Sequence, residues 1–259
     1  MAANEPGQPA PVTPGSATPT TTDLHTPTSA LAIGAHPDDV EFGCGGLLAK
    51  WAADGCTIHH LVCTDGSKGT WDPDADVVAL AARRQDEQRE AARRLAGDRA
   101  GEVRFLGRVD GELESDLATR SEVARVIREL RPQVVLGHDP WKRYRLHPDH
   151  RHAGILACDG IVAARDPHFF RDHDLGHHRP EALLLWEADQ PDHAEDVSGF
   201  VDVKLFALAA HESQFESTMK ASDEAQMAAF EQRVRNRLGD LGRPFDMDAA
   251  EVFKLIADL

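Results

Sequence analysis

Residues 31–46 read Leu31-Ala32-Ile33-Gly34-Ala35-His36-Pro37-Asp38-Asp39-Val40-Glu41-Phe42-Gly43-Cys44-Gly45-Gly46. An apolar run that ends in Gly34-Ala35 has the composition of a buried strand, and the polar turn from His36 to Asp39 leaves its carboxyl end before a glycine-rich helix start. In an open α/β sheet, ligands bind outside that end of the strands. An imidazole and a carboxylate three positions apart at a tight turn suit a small divalent cation, and a second carboxylate beside them is available to move protons. A matching turn recurs far along the chain as His147-Pro148-Asp149-His150.

Working outward from this stretch, strands are predicted over 30–35, 57–64, 103–106, 134–137 and 182–186. Helices are predicted over 43–53, 77–95, 121–130, 148–164, 203–210, 223–238 and 249–256. The polar stretch 166–180, with His168, His173, His177 and His178, reads as a solvated surface segment because its histidines have no regular spacing. Strands alternating with helices call for a mostly parallel sheet with helices on both faces, since parallel strands need long and right-handed crossovers. The expected fold is therefore a Rossmann-like three-layer α/β/α arrangement of about five strands. In the order 3-2-1-4-5, the first and fourth strands are neighbours at the switch point. The His36 turn leaves the first and the His147 turn lies beyond the fourth, so the two would face one another across a single cleft.

The chain's 259 residues fit one α/β domain, taken as 29–259. Residues 1–28, rich in Pro, Thr, Ala and Gly, read as a disordered tail with neither the basic nor the apolar region of a signal peptide. With 28 Lys and Arg against 44 Asp and Glu, the formal charge of −16 disfavours nucleic acid and anionic membranes as partners. No apolar stretch approaches the ~20 residues of a membrane span. Cys44, Cys56, Cys63 and Cys158 show no C-x-x-C spacing and too few members for a disulfide scaffold, which fits a reducing cytoplasm.

Each His-Pro-Asp turn has a plain structural alternative, as a helix cap with proline fixing the entry. Two such turns at adjacent strand ends are harder to explain as two caps. A catalytic zinc site needs three protein donors and one position left for water. His36, Asp39 and His150 supply that set, for one Zn2+ per chain, with Fe2+ left open as the native metal. Asp38 then sits beside a ligand as general base. His147 is placed to act as acid or to hold charge on a tetrahedral oxygen, and Asp149 to orient an imidazole from behind. A bound cation lowers the pKa of a water toward ~7 and polarises a carbonyl, so amide hydrolysis is the natural use.

On Ala35-His36-Pro37-Asp38-Asp39 with Gly43-Cys44-Gly45-Gly46, and on His147-Pro148-Asp149-His150, the sequence resembles the LmbE-like, or PIG-L, family of zinc-dependent deacetylases. Weaker agreement comes from Thr64-Asp65-Gly66, Arg84 with Glu87, Asp110-Gly111, and the stretch from Lys204 through His211-Glu212-Ser213-Gln214. The resemblance implies removal of acetyl from an N-acetylglucosamine-type small molecule, as in the mycothiol and bacillithiol pathways. It implies the same ligand set, base and acid, with Arg84 and Asp110 touching the sugar. Many members place Glu directly after the paired Asp; here Val40 intervenes and Glu41 follows, as in the bacillithiol-type subgroup. Either Tyr144 or Arg145, three and two residues before His147, would stand near the oxyanion, and a homo-oligomer is compatible with this reading.

Three alternatives compete. Arg84 and Glu87 read equally well as surface charges on a helix, and His211 as a cap or packing residue. An amidase of a thiol-sugar conjugate or a glycopeptide-type substrate would use the same site residues. A dinucleotide module is suggested by Gly43-x-Gly45-Gly46, but the G-x-G-x-x-G spacing is incomplete, and Asp38, Asp39 and Glu41 would set carboxylates against a pyrophosphate. No residue is therefore assigned to a nucleotide cofactor.

Overall fold

The computed structural model describes residues 21–259. One sheet of eight strands runs through them: β1 (Thr21–Thr22), β2 (Ser29–Gly34), β3 (Thr57–Thr64), β4 (Ala100–Arg108), β5 (Val134–His138), β6 (Ala182–Trp186), β7 (His193–Asp196) and β8 (Ala250–Ala257). The helices are α1 (Asp39–Ala53), α2 (Val77–Ala96), α3 (Leu117–Leu130), α4 (Pro148–Arg165), α5 (Val201–Leu208) and α6 (Glu224–Gly242).

The five expected strands are β2 to β6. They pair in parallel as β4-β3-β2-β5-β6, which is the anticipated 3-2-1-4-5 order. Period-two alternation along them makes the three layers. Leu31, Ile33, Val135, Leu183 and Leu185 point to one face, against Val123 and Ile127 of α3 and Leu156 and Ile161 of α4. Their neighbours Ala30, Ala32, Val134, Leu136, Leu184 and Trp186 point to the other, against Leu47, Leu48 and Trp51 of α1 and Leu205 and Leu208 of α5.

The sheet is wider than the sequence suggested. Residues 249–256, expected as a helix, form β8 instead, antiparallel to both β6 and β7. Phe253 and Leu255 pack with one core layer while Ile256 packs with the other, an alternation of period two that good helix formers such as Ala250, Glu251 and Leu255 concealed. The expected tail is also shorter at its inner end. Thr21 and Thr22 pair in parallel with β7, and the Leu24 N–H donates to Glu195 Oε1 at 2.9 Å. The rest of that tail, residues 1–20, lies outside the described residues. The segment 166–180 is anchored rather than free-running: buried Arg128 donates to the carbonyls of Ala163, Asp166, Phe169 and Phe170, and His173 packs beside it.

Helix α1 begins earlier than expected and bends at Cys44, whose φ of −147° is not helical. Gly43 is required there, because a Cβ would lie 2.6 Å from the Trp186 ring at the end of β6. The bend frees the amides of Gly46 and Leu47, and both donate to the Glu251 carboxylate, at 2.9 and 2.8 Å. The amides that a dinucleotide pyrophosphate would need are thus already held by a carboxylate of β8. Among the described residues, no helix is long and apolar enough to cross a membrane.

Candidate active site

The carboxyl ends of β2 and β5 lie side by side, and the loops beyond them close on one another as the switch-point rule requires. Across 114 positions of sequence, His36 Nδ1 comes to 3.1 Å from His150 Nε2. Asp39 completes a triangle: its Oδ2 is 3.3 Å from His36 Nδ1 and its Oδ1 is 3.3 Å from His150 Nε2. A tetrahedral cation with bonds of about 2.0–2.1 Å has ligand–ligand edges of about 3.3–3.4 Å. The side chains of His36, Asp39 and His150 therefore approach one another at separations close to those edges, with the two Asp39 contacts divided between its two oxygens, and a donor set of two imidazoles and one carboxylate suits zinc.

The rings around this face are fixed from behind. His36 Nε2 lies 3.1 Å from Asp110 Oδ1 and 3.2 Å from Asp149 Oδ2, so that nitrogen carries the proton and Nδ1 faces the triangle. Asp149 is fully buried and held by the N–H groups of Gly111 and Leu113, at 2.6 and 3.2 Å. Burial alone would lower the pKa of His36, but the three surrounding carboxylates raise it well above the usual range. A cation would take the place of the Nδ1 proton. Burial pushes His150 the other way, to about 4, leaving it neutral.

Three groupings of side chains bring donors within reach of one cation, His36 with His147 and His150, His36 with Asp110, His147 and Asp149, and Asp39 with His138 and His150; the first and the last each contain two of the three residues of the triangle. His36 with Asp110, His147 and Asp149 uses carboxylates already engaged by backbone N–H groups. Asp39 with His138 and His150 requires His138 Nε2 to be free of a proton. The Trp186 indole N–H donates to His138 Nδ1 at 3.0 Å, while His138 Nε2 lies 3.2 Å from Asp39 Oδ2 and 3.4 Å from the Ala35 N–H. His138 thus orients Asp39. The sequence reading missed it, although its place at the end of the fourth expected strand, beside the strand that carries His36, was the available signal.

Asp38 follows the same turn but faces a cavity of about 560 Å³, shared with His147, Arg145, Trp71 and Trp186. Its carboxylate is buried, with Arg84 Nη2 at 3.4 Å, and burial raises it to about 6. His147 stands at the cavity wall with its ring centroid 4.6 Å from that of His36, and burial lowers its pKa.

The remaining candidates divide. Arg84 and Glu87 are buried and not surface charges: Arg84 donates to the carbonyls of Pro37 and Gly66, at 2.6 and 2.9 Å, and Glu87 accepts from Ser213. Arg84 and Asp110 both line the cavity, yet their hydrogen bonds go to the turns around it. Tyr144 is 92 % exposed and is not part of the cavity lining. Arg145 is, donating to His150 Nδ1 from Nη2 at 2.6 Å and pairing with Glu187. Were His150 Nε2 to hold a cation, the ring proton would sit on Nδ1 and the Arg145 guanidinium would have to turn aside. His211 is buried against Glu41 behind the site.

Residues 31–159 match the family model described as PIG-L, GlcNAc-PI de-N-acetylase. The chain is 38% identical over 188 residues to a diacetylchitobiose deacetylase of Thermococcus kodakarensis, covering 71% of this chain and 69% of the relative. It is 30% identical to a 1D-myo-inositol 2-acetamido-2-deoxy-alpha-D-glucopyranoside deacetylase of Rhodococcus opacus, covering 85% and 97%. The solved structure of N,N'-diacetylchitobiose deacetylase from Pyrococcus horikoshii superposes with a TM-score of 0.81 at 28% identity, over 91% of this chain and 87% of that one.

Proposed function

This chain belongs to the PIG-L family, and on that premise we propose that it is a zinc-dependent deacetylase that hydrolyses the N-acetyl amide of an amino-sugar-type small molecule. The observation that carries the reading is the triangle of His36, Asp39 and His150 donor atoms with the Asp38 carboxylate beside it on the cavity wall. A zinc ion held by those three residues supplies Lewis acidity to the amide carbonyl and acidifies water. Asp38 takes the proton of the attacking water and returns it to the departing nitrogen, so the products are acetate and a free amine. His147 directs a ring N–H at the oxygen that becomes negative as the carbonyl carbon turns tetrahedral. Asp149 and Asp110 keep the His36 ring turned toward the ligand face, and His138 does the same for Asp39. The four cysteines, unpaired in the fold, support a cytoplasmic setting.

The test is release of primary amine from a panel of N-acetylated amino sugars, including diacetylchitobiose and N-acetylglucosaminyl inositol, with zinc-replete protein. Amine release from at least one member, abolished by chelation and restored by zinc, is the expected result. A folded, metal-loaded protein inert toward the whole panel would count against the proposal.

A further inference from the structure

Behind Asp38, away from the cavity, lies a row of buried polar groups for which the hydrolysis described above has no use. Asp38 has φ 104° and ψ −27°. That left-handed conformation is one a residue with a Cβ keeps only where its surroundings impose it. Two side chains of α2, one helical turn apart on the same face, impose it here. Arg84 holds the turn by the Pro37 carbonyl and ties it to the Gly66 carbonyl of the loop after β3, and Gln88 holds it by its amide: the Asp38 N–H donates to Gln88 Oε1 at 2.9 Å.

Gln88 cannot turn over. Its Nε2 donates to Glu41 Oε1 at 2.8 Å, and Glu41 Oε2 lies 3.2 Å from His211 Nε2. A carboxylate can only accept and a backbone N–H can only donate, so the two ends of the Gln88 amide are not interchangeable. His60 stands beyond, its Nε2 3.6 Å from Glu41 Oε1. Glu41, His60, Gln88 and His211 are all 0 % exposed, and none of them lines the cavity. A carboxylate in such a place is costly to keep, and apolar residues of similar volume would pack there as well. What they would not do is accept the Asp38 N–H.

We propose that Gln88, with its amide fixed by Glu41 and His211, is a positioning residue that holds the left-handed Asp38 backbone and so aims the Asp38 carboxylate into the cavity. The inference rests on the reading of Asp38 as the base. Without the Gln88 acceptor, the Asp38 N–H is buried and unpaired, and the backbone is free to relax toward negative φ and carry the carboxylate away from its target. The ligand Asp39 keeps its own supports, the His36 N–H at 2.7 Å and the His138 ring. Loss of Gln88 should therefore lower kcat while leaving metal content and KM nearly unchanged.

The experiment measures kcat, KM and bound zinc for Gln88→Leu, Asp38→Asn and the double variant, using zinc-replete full-length protein and a substrate found in the amine-release panel. A misplacement on the order of 1 Å at a reacting group can cost about 100-fold in rate, so Gln88→Leu is expected to lose about 10- to 100-fold in kcat with zinc retained. In the Asp38→Asn background, where there is no base to aim, the same substitution is expected to change the residual rate by less than about two-fold. Glu41→Gln serves as a gentler second variant should Gln88→Leu not fold; it loosens the hold on Gln88 and is expected to lower kcat by about 3- to 10-fold. Full kcat in the Gln88 or Glu41 variant, or an equal loss in both Asp38 backgrounds, overturns the inference while leaving Asp38 as the base. Full kcat in Asp38→Asn removes the base reading and the inference with it.

Discussion

Asp38 and Asp39 are adjacent on one turn, yet their surroundings push them in opposite directions. Burial raises both; at Asp39 the His150 and His138 rings outweigh it and hold the carboxyl well below the usual range, whereas Asp38, with only partial compensation from Arg84, rises to about 6. One carboxylate is thereby kept ionised, as the proposed metal ligand needs to be, and the other is poised to exchange a proton near neutrality, as the proposed general base needs to be. Asp38 accepts a proton only when ionised, so kcat/KM should fall as pH drops through about 6, and a bound cation, being positive, moves this limb lower. A pH–rate profile with its acid limb at or below about 6 is the expected result, and a limb lying above pH 7 would assign the base to another group.

Helix α1 depends on an ion pair that comes from the other end of the chain. Lys204 Nζ of α5 lies 2.6 Å from Glu251 Oε1 of β8, both side chains are almost fully buried, and Glu251 in turn receives the amides of Gly46 and Leu47. Lys204→Met should leave the Glu251 charge buried without its cation and destabilise the fold by about 3–5 kcal/mol, measured by urea unfolding of the metal-free protein. A loss under about 1 kcal/mol would mean the pair carries little. The same elements show where the sequence was readable. The five parallel strands and α1 to α6 announced themselves through apolar runs, period and helix stops, and the two His-Pro-Asp turns through their repeated pattern. What escaped depended on distant partners: β8, whose residues suit a helix until β6 and β7 flank them; β1 and β7, short strands defined by pairing to each other and to β8; and His138, whose role exists only once Trp186 and Asp39 reach it. Gly43 was visible as part of a glycine-rich turn, but its reason, the Trp186 ring against the helix, lies far along the chain.

At the scale of the whole molecule, a chain of formal charge −16 gathers four of its carboxylates, Asp38, Asp39, Asp110 and Asp149, with four histidines at one end of the sheet. Such a cluster suits a divalent cation, and the proposed ligands come together from the loops after β2 and β5 only when the parallel sheet is formed. The most direct measurement is metal content by elemental analysis of the purified protein and of its His150→Ala and His147→Ala variants, after equal exposure to zinc and desalting. About one zinc per chain is expected in the parent protein and in His147→Ala, with His150→Ala nearly empty. Substoichiometric metal in the folded parent, or equal zinc in the two histidine variants, would contradict the central claim that His36, Asp39 and His150 grip one cation between them.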